Sequence, residues 1–122
     1  MTTLRELGER EVIRRLARVL GKPPEGVLGI GDDTAVIPMG GDRDCLLTSD
    51  AVVEGTHFLP DTEPLRIGHK AIGRVLSDFA AMGGAPAWAL VDLVAPASME
   101  MERLEAIYLG ARTLAGPHGL RI

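Results

Sequence analysis

Three short clusters of oxygen-bearing side chains stand out: Asp32-Asp33 in a glycine turn, Thr48-Ser49-Asp50 inside an apolar run, and Ser77-Asp78 on a helical segment. Carboxylates backed by hydroxyls and backbone carbonyls suit Mg2+ or Ca2+, whereas zinc would call for the His and Cys these clusters lack. Along a strand alternate side chains share a face, so Thr48 and Asp50 point together and Ser49 points away unless the strand bends. An aspartate in a buried strand needs a compensating partner. Leu46-Leu47 and Val52-Val53, on either side of Asp50, conflict with a solvated face there. Each cluster also has an ordinary reading. Asp32-Asp33 after glycine can be an Asx turn, and Asp78, four residues after Arg74, can be its helical ion-pair partner. Their joint occurrence favours metal binding.

Other chemistries are less well served. Gly29-Ile30-Gly31 has the look of a phosphate loop, yet neither G-x-G-x-x-G nor a Walker lysine follows, and a strand comes next where those motifs need a helix. A tight turn with positive φ is the simpler reading. No Ser-His-Asp arrangement suggests a nucleophilic triad. His69 and His118 read as surface or helix-end residues, while His57 follows the acidic run closely enough to remain a candidate ligand. The single cysteine, Cys45, excludes an internal disulfide and a cysteine-rich zinc site, and it reads as a small strand residue.

These residues must be positioned by the elements around them. Val12, Ile13, Leu16, Val19 and Leu20 share one face of a surface helix over 10–20, with four arginines elsewhere around it and a stop at Gly21 and Pro23-Pro24. A short strand is predicted over Thr34–Ile37, ended by Pro38 and the Gly40-Gly41-Asp42 turn, and a largely buried strand over Cys45–Val53. Paired apolar residues four apart predict a helix from about Leu65 to Met82, terminated by Gly83-Gly84. A further strand over Ala87–Val94 and a third long helix from Met101 to Ala115 follow. Helix, strands, helix, strand, helix, with no repeat, predicts an α+β two-layer sandwich. Gly119–Ile122 reads as the beginning of another strand, so the chain is expected to be a piece of a larger protein.

The 122 residues set a ceiling of one domain. With 46% apolar and 25% charged residues the composition is that of a folded globular chain and excludes intrinsic disorder. No apolar stretch approaches the ~20 residues of a bilayer span. The N-terminus lacks the apolar core of a secretory signal, which predicts a cytoplasmic protein. The net charge of −4 is unevenly spread: residues 29–63 carry one basic and eight acidic groups. That band needs solvent, basic partners or cations. With no basic stripe or aromatic platform, nucleic acid is excluded as a direct partner.

Taken in order, Gly29-Ile30-Gly31-Asp32-Asp33-Thr34-Ala35-Val36, Leu47-Thr48-Ser49-Asp50, Glu54-Gly55-Thr56-His57-Phe58-Leu59-Pro60, Lys70-Ala71-Ile72 and Leu76-Ser77-Asp78-Phe79-Ala80-Ala81-Met82-Gly83 closely resemble the thiamine-monophosphate kinase family. The resemblance covers nearly the whole chain. It implies the N-terminal domain of the aminoimidazole-ribonucleotide-synthetase-like fold, a homodimer formed through its sheet, and ATP-dependent phosphorylation of thiamine monophosphate to thiamine diphosphate with several Mg2+ ions. By position, Asp33, Thr48, Ser49, Asp50 and Asp78 match the family's magnesium ligands, His57 its thiamine-phosphate contact, and Tyr108 a tyrosine that contacts ATP. Phosphoryl transfer between polyanions asks chiefly for alignment and charge neutralisation, which metals held by an acidic segment supply.

Two departures from the family pattern carry expectations. Val75 stands where many members have Asn, and the Gly-Gly-Asp/Asn segment and second domain found beyond the position of Ile122 are absent from this chain. The expectation is therefore an N-terminal ATP- and magnesium-binding domain over 1–122, truncated and inactive by itself. The alternatives are a non-catalytic dimerisation or metal-binding module and another kinase or synthetase of the same superfamily.

Overall fold

The computed structural model describes residues 2–122. The chain divides into two compact units, Met1–Leu47 and Thr48–Ile122.

In the first unit, α1 (Leu4–Leu7) is opened by a capping box. The Thr3 backbone N–H donates to Glu6 Oε2 at 2.7 Å, and the Glu6 N–H donates to Thr3 Oγ1 at 3.4 Å. Gly8, with φ of 72°, breaks the chain between α1 and α2 (Glu9–Leu20). The amphipathic pattern thus yields its helix, within a residue of the predicted start. Strands β1 (Ala35–Pro38) and β2 (Asp44–Leu47) pair antiparallel, with Ala35 opposite Leu47 and Pro38 opposite Asp44. The reversal passes through Gly40 and Gly41, both at positive φ, where a Cβ would be strained. Leu28 exchanges two backbone hydrogen bonds with Val36, at 2.9 and 3.0 Å, so the Gly29–Asp33 turn is flanked by a paired residue on each side.

The predicted strand over Cys45–Val53 is half realised. The ladder stops at Leu47, opposite the first residue of β1, and 48–53 run on as irregular, mostly exposed chain. A strand persists only as far as a neighbour accepts its hydrogen bonds, and β1 ends there. Asp50 therefore lies outside any strand and is exposed; the expectation of a buried Asp50 is corrected.

The second unit is built on two helices, α3 (Pro64–Ala81) and α4 (Met101–Ala115). Ile72, Ala111, Ala115 and Leu120 form its buried core, with Leu76, Ala89 and Leu114 packed against them. The helices meet backbone to backbone at two glycines. A Cβ on Gly68 would lie 2.0 Å from the Ile107 carbonyl oxygen, and one on Gly110 would lie 2.2 Å from that of Leu65. Helix α3 ends in a Schellman motif: the Gly84 N–H donates to the Phe79 carbonyl at 2.8 Å and that of Gly83 to Ala80 at 3.2 Å, with Gly83 at φ of 67°. A single turn of 3-10 helix, Gly116–His118, follows α4.

The predicted strand Ala87–Val94 reduces to one parallel bridge between Trp88 and Arg121. The Ala89 N–H donates to Arg121 O at 2.8 Å and the Arg121 N–H to Ala87 O at 3.0 Å. Past that bridge no described residue pairs with the segment, and Leu90 and Val94 are fully exposed. The fold is a mixture of helices with a small two-stranded sheet.

Candidate functional site

The second unit brings together members of two of the oxygen-donor clusters. Thr48, just beyond the end of β2, donates from its hydroxyl to Asp78 Oδ2 on α3 at 2.6 Å. Two residues on, Asp50 receives a bidentate pair from Arg74, Nε to Oδ2 at 2.6 Å and Nη2 to Oδ1 at 2.7 Å. The Arg74–Asp78 helical pair that the spacing allows as an alternative does not form; Arg74 pairs instead between α3 and the 48–53 segment. The guanidinium fork holds the Asp50 carboxyl below the usual carboxylate range, outweighing the opposing effect of partial burial, and Asp50 in turn raises Arg74. Ser77 turns its hydroxyl back to the Arg74 carbonyl at 2.8 Å and so serves its own helix. Ser49 is exposed.

Downstream, 53–58 form a tight turn with Gly55 at φ of 77°; its N–H donates to Phe58 O at 2.8 Å. The Val53 N–H donates to His57 Nδ1 at 3.0 Å. A ring nitrogen that accepts a hydrogen bond is unprotonated, so neutral His57 carries its proton on Nε2 and presents that N–H as a donor. Lys70 on α3 donates from Nζ to the His57 carbonyl. Arg103 on α4 donates to the carbonyls of Pro60 at 2.9 Å and Thr62 at 3.4 Å. Two cationic side chains therefore tie the 57–62 loop to the helix pair. Between that loop and α3 lies a cavity of about 410 Å³.

The remaining candidates make none of these contacts. Asp33 belongs to the first unit, in the Gly29–Asp33 turn, where its N–H donates to Asp32 Oδ1 at 3.0 Å. Tyr108, partly exposed on α4, lines a wide groove with Arg112, Arg121 and the 89–91 segment; none of Thr48, Asp50, His57 or Asp78 lines it. His69 bridges the helices, its Nε2 3.0 Å from Thr113 Oγ1, which itself donates to the Gly110 carbonyl. Arg74, Lys70 and Arg103 organise this region although none of them belongs to the oxygen-donor motifs. The signal that could have found two of them is the spacing of Arg66, Lys70 and Arg74, which puts three cations in one row along α3.

Among the described residues, no three His, Cys, Asp or Glu side chains gather closely enough to cage a metal ion. Magnesium does not demand such a cage: it keeps several waters and is commonly held by one or two carboxylates together with substrate phosphates. Asp78 with the Thr48 hydroxyl, and Asp50 beyond, form an all-oxygen donor set of the kind that suits this ion. The residues fit magnesium.

Comparison with known proteins places these features in a wider context. The family model for AIR synthase related protein, N-terminal domain, matches residues 31–122. Thiamine-monophosphate kinase of Aquifex aeolicus (strain VF5) is 38% identical over 109 residues, covering 89% of this chain and 34% of the relative. That of Escherichia coli (strain K12) is 40% identical over 90 residues, 73% of this chain and 28% of the relative. That of Mycobacterium tuberculosis (strain ATCC 25618 / H37Rv) is 36% identical over 121 residues, 98% of this chain and 36% of the relative. A solved structure, AaThiL complexed with AMPPCP and TMP, matches 98% of this chain and 37% of its own, at 36% identity and a TM-score of 0.88. The chain thus spans about a third of the length of the relatives it matches.

Proposed function

The chain belongs to the family of AIR synthase related proteins, through their N-terminal domain, and on that premise we propose that it is the magnesium- and ATP-binding part of a thiamine-monophosphate kinase. Such an enzyme moves the γ-phosphoryl group of ATP onto thiamine monophosphate. The observation that carries the reading is the 2.6 Å hydrogen bond from Thr48 to Asp78, which joins two oxygen-donor motifs 30 residues apart in sequence. The name of the similar curated relatives and the AMPPCP and TMP bound to the similar solved structure support it.

In this reading Asp33, Thr48, Ser49, Asp50 and Asp78 hold magnesium, His57 contacts the thiamine phosphate and Tyr108 contacts ATP. When bound by these residues, magnesium would supply charge neutralisation for phosphoryl transfer. The chain's own residues prepare the ground. Arg74 keeps Asp50 ionised and fixed in direction, since its fork binds both carboxylate oxygens. Val53 sets the His57 tautomer, so that Nε2–H is the free donor for a phosphate oxygen. Lys70 holds the backbone of that loop against α3.

The same reading makes residues 1–122 an N-terminal domain of the two-layer sandwich type, dimeric through its sheet and cytoplasmic, with a C-terminal domain outside this chain completing the enzyme. The isolated chain is then inactive. The test is formation of thiamine diphosphate from ATP and thiamine monophosphate by the intact protein that carries this chain. The expected result is magnesium-dependent turnover that Asp78→Asn and Asp50→Asn abolish while far-ultraviolet circular dichroism stays unchanged. A folded, intact protein that forms no thiamine diphosphate, or an Asp78→Asn variant with full activity, overturns the reading.

A further inference from the structure

The cavity between the 57–62 loop and α3 has an unusual balance of charge. Phe58 and Ile67 give it apolar walls, while Arg66 and Lys70, one helical turn apart, put two cations on it, and no carboxylate lines it. Lys70 spends one N–H on a neutral acceptor, the His57 carbonyl, which leaves its charge uncompensated. The Arg66 guanidinium has no hydrogen bond or ion pair with any described residue; only its backbone N–H is engaged, with the Glu63 carbonyl at 3.0 Å. Every polar side chain on the cavity can donate: the Arg66 fork, the remaining Lys70 N–H groups, the Nε2–H of His57 and the hydroxyl of Thr62, whose oxygen already accepts the Leu59 N–H at 3.0 Å. In a chain of net charge −4, with its acidity concentrated in 29–63, two unpaired cations on one concavity make a local site for an anion. Its volume of about 410 Å³ is that of a small-molecule site.

We propose that Arg66, on the wall of this cavity beside His57, is the residue that distinguishes a phosphorylated acceptor from its unphosphorylated alcohol. The inference rests on the functional reading above and adds to it the group that reads the phosphate already present on the substrate. A guanidinium suits this role because its planar fork matches two phosphate oxygens and never loses its charge. A phosphate dianion entering the cavity gains charge-assisted hydrogen bonds that the free alcohol cannot make, and the apolar walls receive the organic part common to both.

The test compares wild type, Arg66→Gln and Arg66→Lys in the intact protein carrying this chain. Removing the fork is expected to raise KM for thiamine monophosphate about ten- to a hundredfold, with kcat and KM for ATP within a few fold, because one charge-assisted contact is lost. Arg66→Lys restores part of the loss. Calorimetric titration supplies a readout independent of turnover. Wild type should bind thiamine monophosphate at least about tenfold more tightly than thiamine, and Arg66→Gln should erase that difference. If the protein makes no thiamine diphosphate at all, the functional reading falls, and the role of Arg66 is then judged on inorganic phosphate: weakened binding in Arg66→Gln upholds it, equal binding refutes it. Unchanged discrimination between thiamine monophosphate and thiamine in a folded Arg66→Gln variant overturns the proposal.

Discussion

Replacing Gly68 by alanine should open the helix pair on which the whole second unit depends. The added Cβ would stand 2.0 Å from the Ile107 carbonyl oxygen and 2.5 Å from the Ala111 nitrogen, where ordinary contact begins at 3.4 Å. Both obstacles are backbone atoms of α4, so no side chain can swing aside, and the helices must part by more than an ångström. Gaps of that size forfeit a quarter to a half of each dispersion contact, and here they fall beside Ile72 and Ala111 in the core. Overpacking of this kind costs about 3 kcal/mol at its usual upper end, and the better helix propensity of alanine returns about 1 kcal/mol. The net expected loss is about 2 kcal/mol or more. Gly73, on the same helix, is the internal control. Its Cβ would meet only Leu114 Cδ2 at 3.8 Å, an ordinary contact, so Gly73→Ala should stabilise by up to about 1 kcal/mol. Urea unfolding followed by far-ultraviolet circular dichroism measures both. Gly110→Ala blocks the same crossing, so the double variant should lose less than the sum of the two singles, the helices having already separated. If Gly68→Ala and Gly73→Ala move stability in the same direction by similar amounts, the close backbone approach is wrong.

Other outcomes follow from single contacts. Thr34 is buried and its hydroxyl has no partner among the described residues, so the isosteric Thr34→Val should stabilise the chain by about 1 kcal/mol in the same urea assay, and a loss would mean the hydroxyl is satisfied. Lys70→Met removes the tie to the His57 carbonyl, and amide hydrogen exchange across 57–62 should accelerate while exchange in the middle of α4 stays constant. Glu11 accepts from Arg14 at 2.6 and 2.7 Å and from Arg15 at 2.9 Å, and these bonds hold its carboxyl below the ordinary glutamate range. Because the folded value is the lower one, the contribution of this pairing to α2 is complete above the ordinary range and disappears as pH falls through the depressed value. Carbon-13 titration of the Glu11 carboxyl should show a lowered midpoint that Arg14→Ala moves back up, and an unmoved midpoint counts against the pairing.

What was legible in the sequence was what depends on neighbours three or four residues away. Helices α2, α3 and α4 lie where apolar spacing and glycine stops put them, and the Gly83-Gly84 terminator became a Schellman motif. Strand length was not legible, because it depends on how far a partner runs alongside. Cys45–Val53 is cut at Leu47 by the end of β1, and Ala87–Val94 finds only Arg121. Charge pairing failed in the same way: local spacing offered Asp78 to Arg74, whereas folding delivered Asp50 from 24 residues upstream. The glycines of the helix crossing carry no sequence mark that separates Gly68 and Gly110 from Gly73. The joint appearance of Thr48 and Asp78 was anticipated as chemistry and emerges as a direct contact.

The long connection from α3 to α4 has a practical consequence. Between Gly84 and Glu100 the backbone is anchored at the Trp88–Arg121 bridge and at one turn bond, Met99 N–H to Pro96 O at 3.0 Å, while Leu90 and Val94 present their whole side chains to solvent. Little must be undone to fit such a stretch into the extended cleft of a protease. Chymotrypsin, which favours large apolar residues, should nick it at Leu90 or Leu93 before it touches either helix. The rate of that first cut then becomes a gauge of occupancy: any surface that comes to cover the segment slows it in proportion to the time spent bound, with no need for a functional assay.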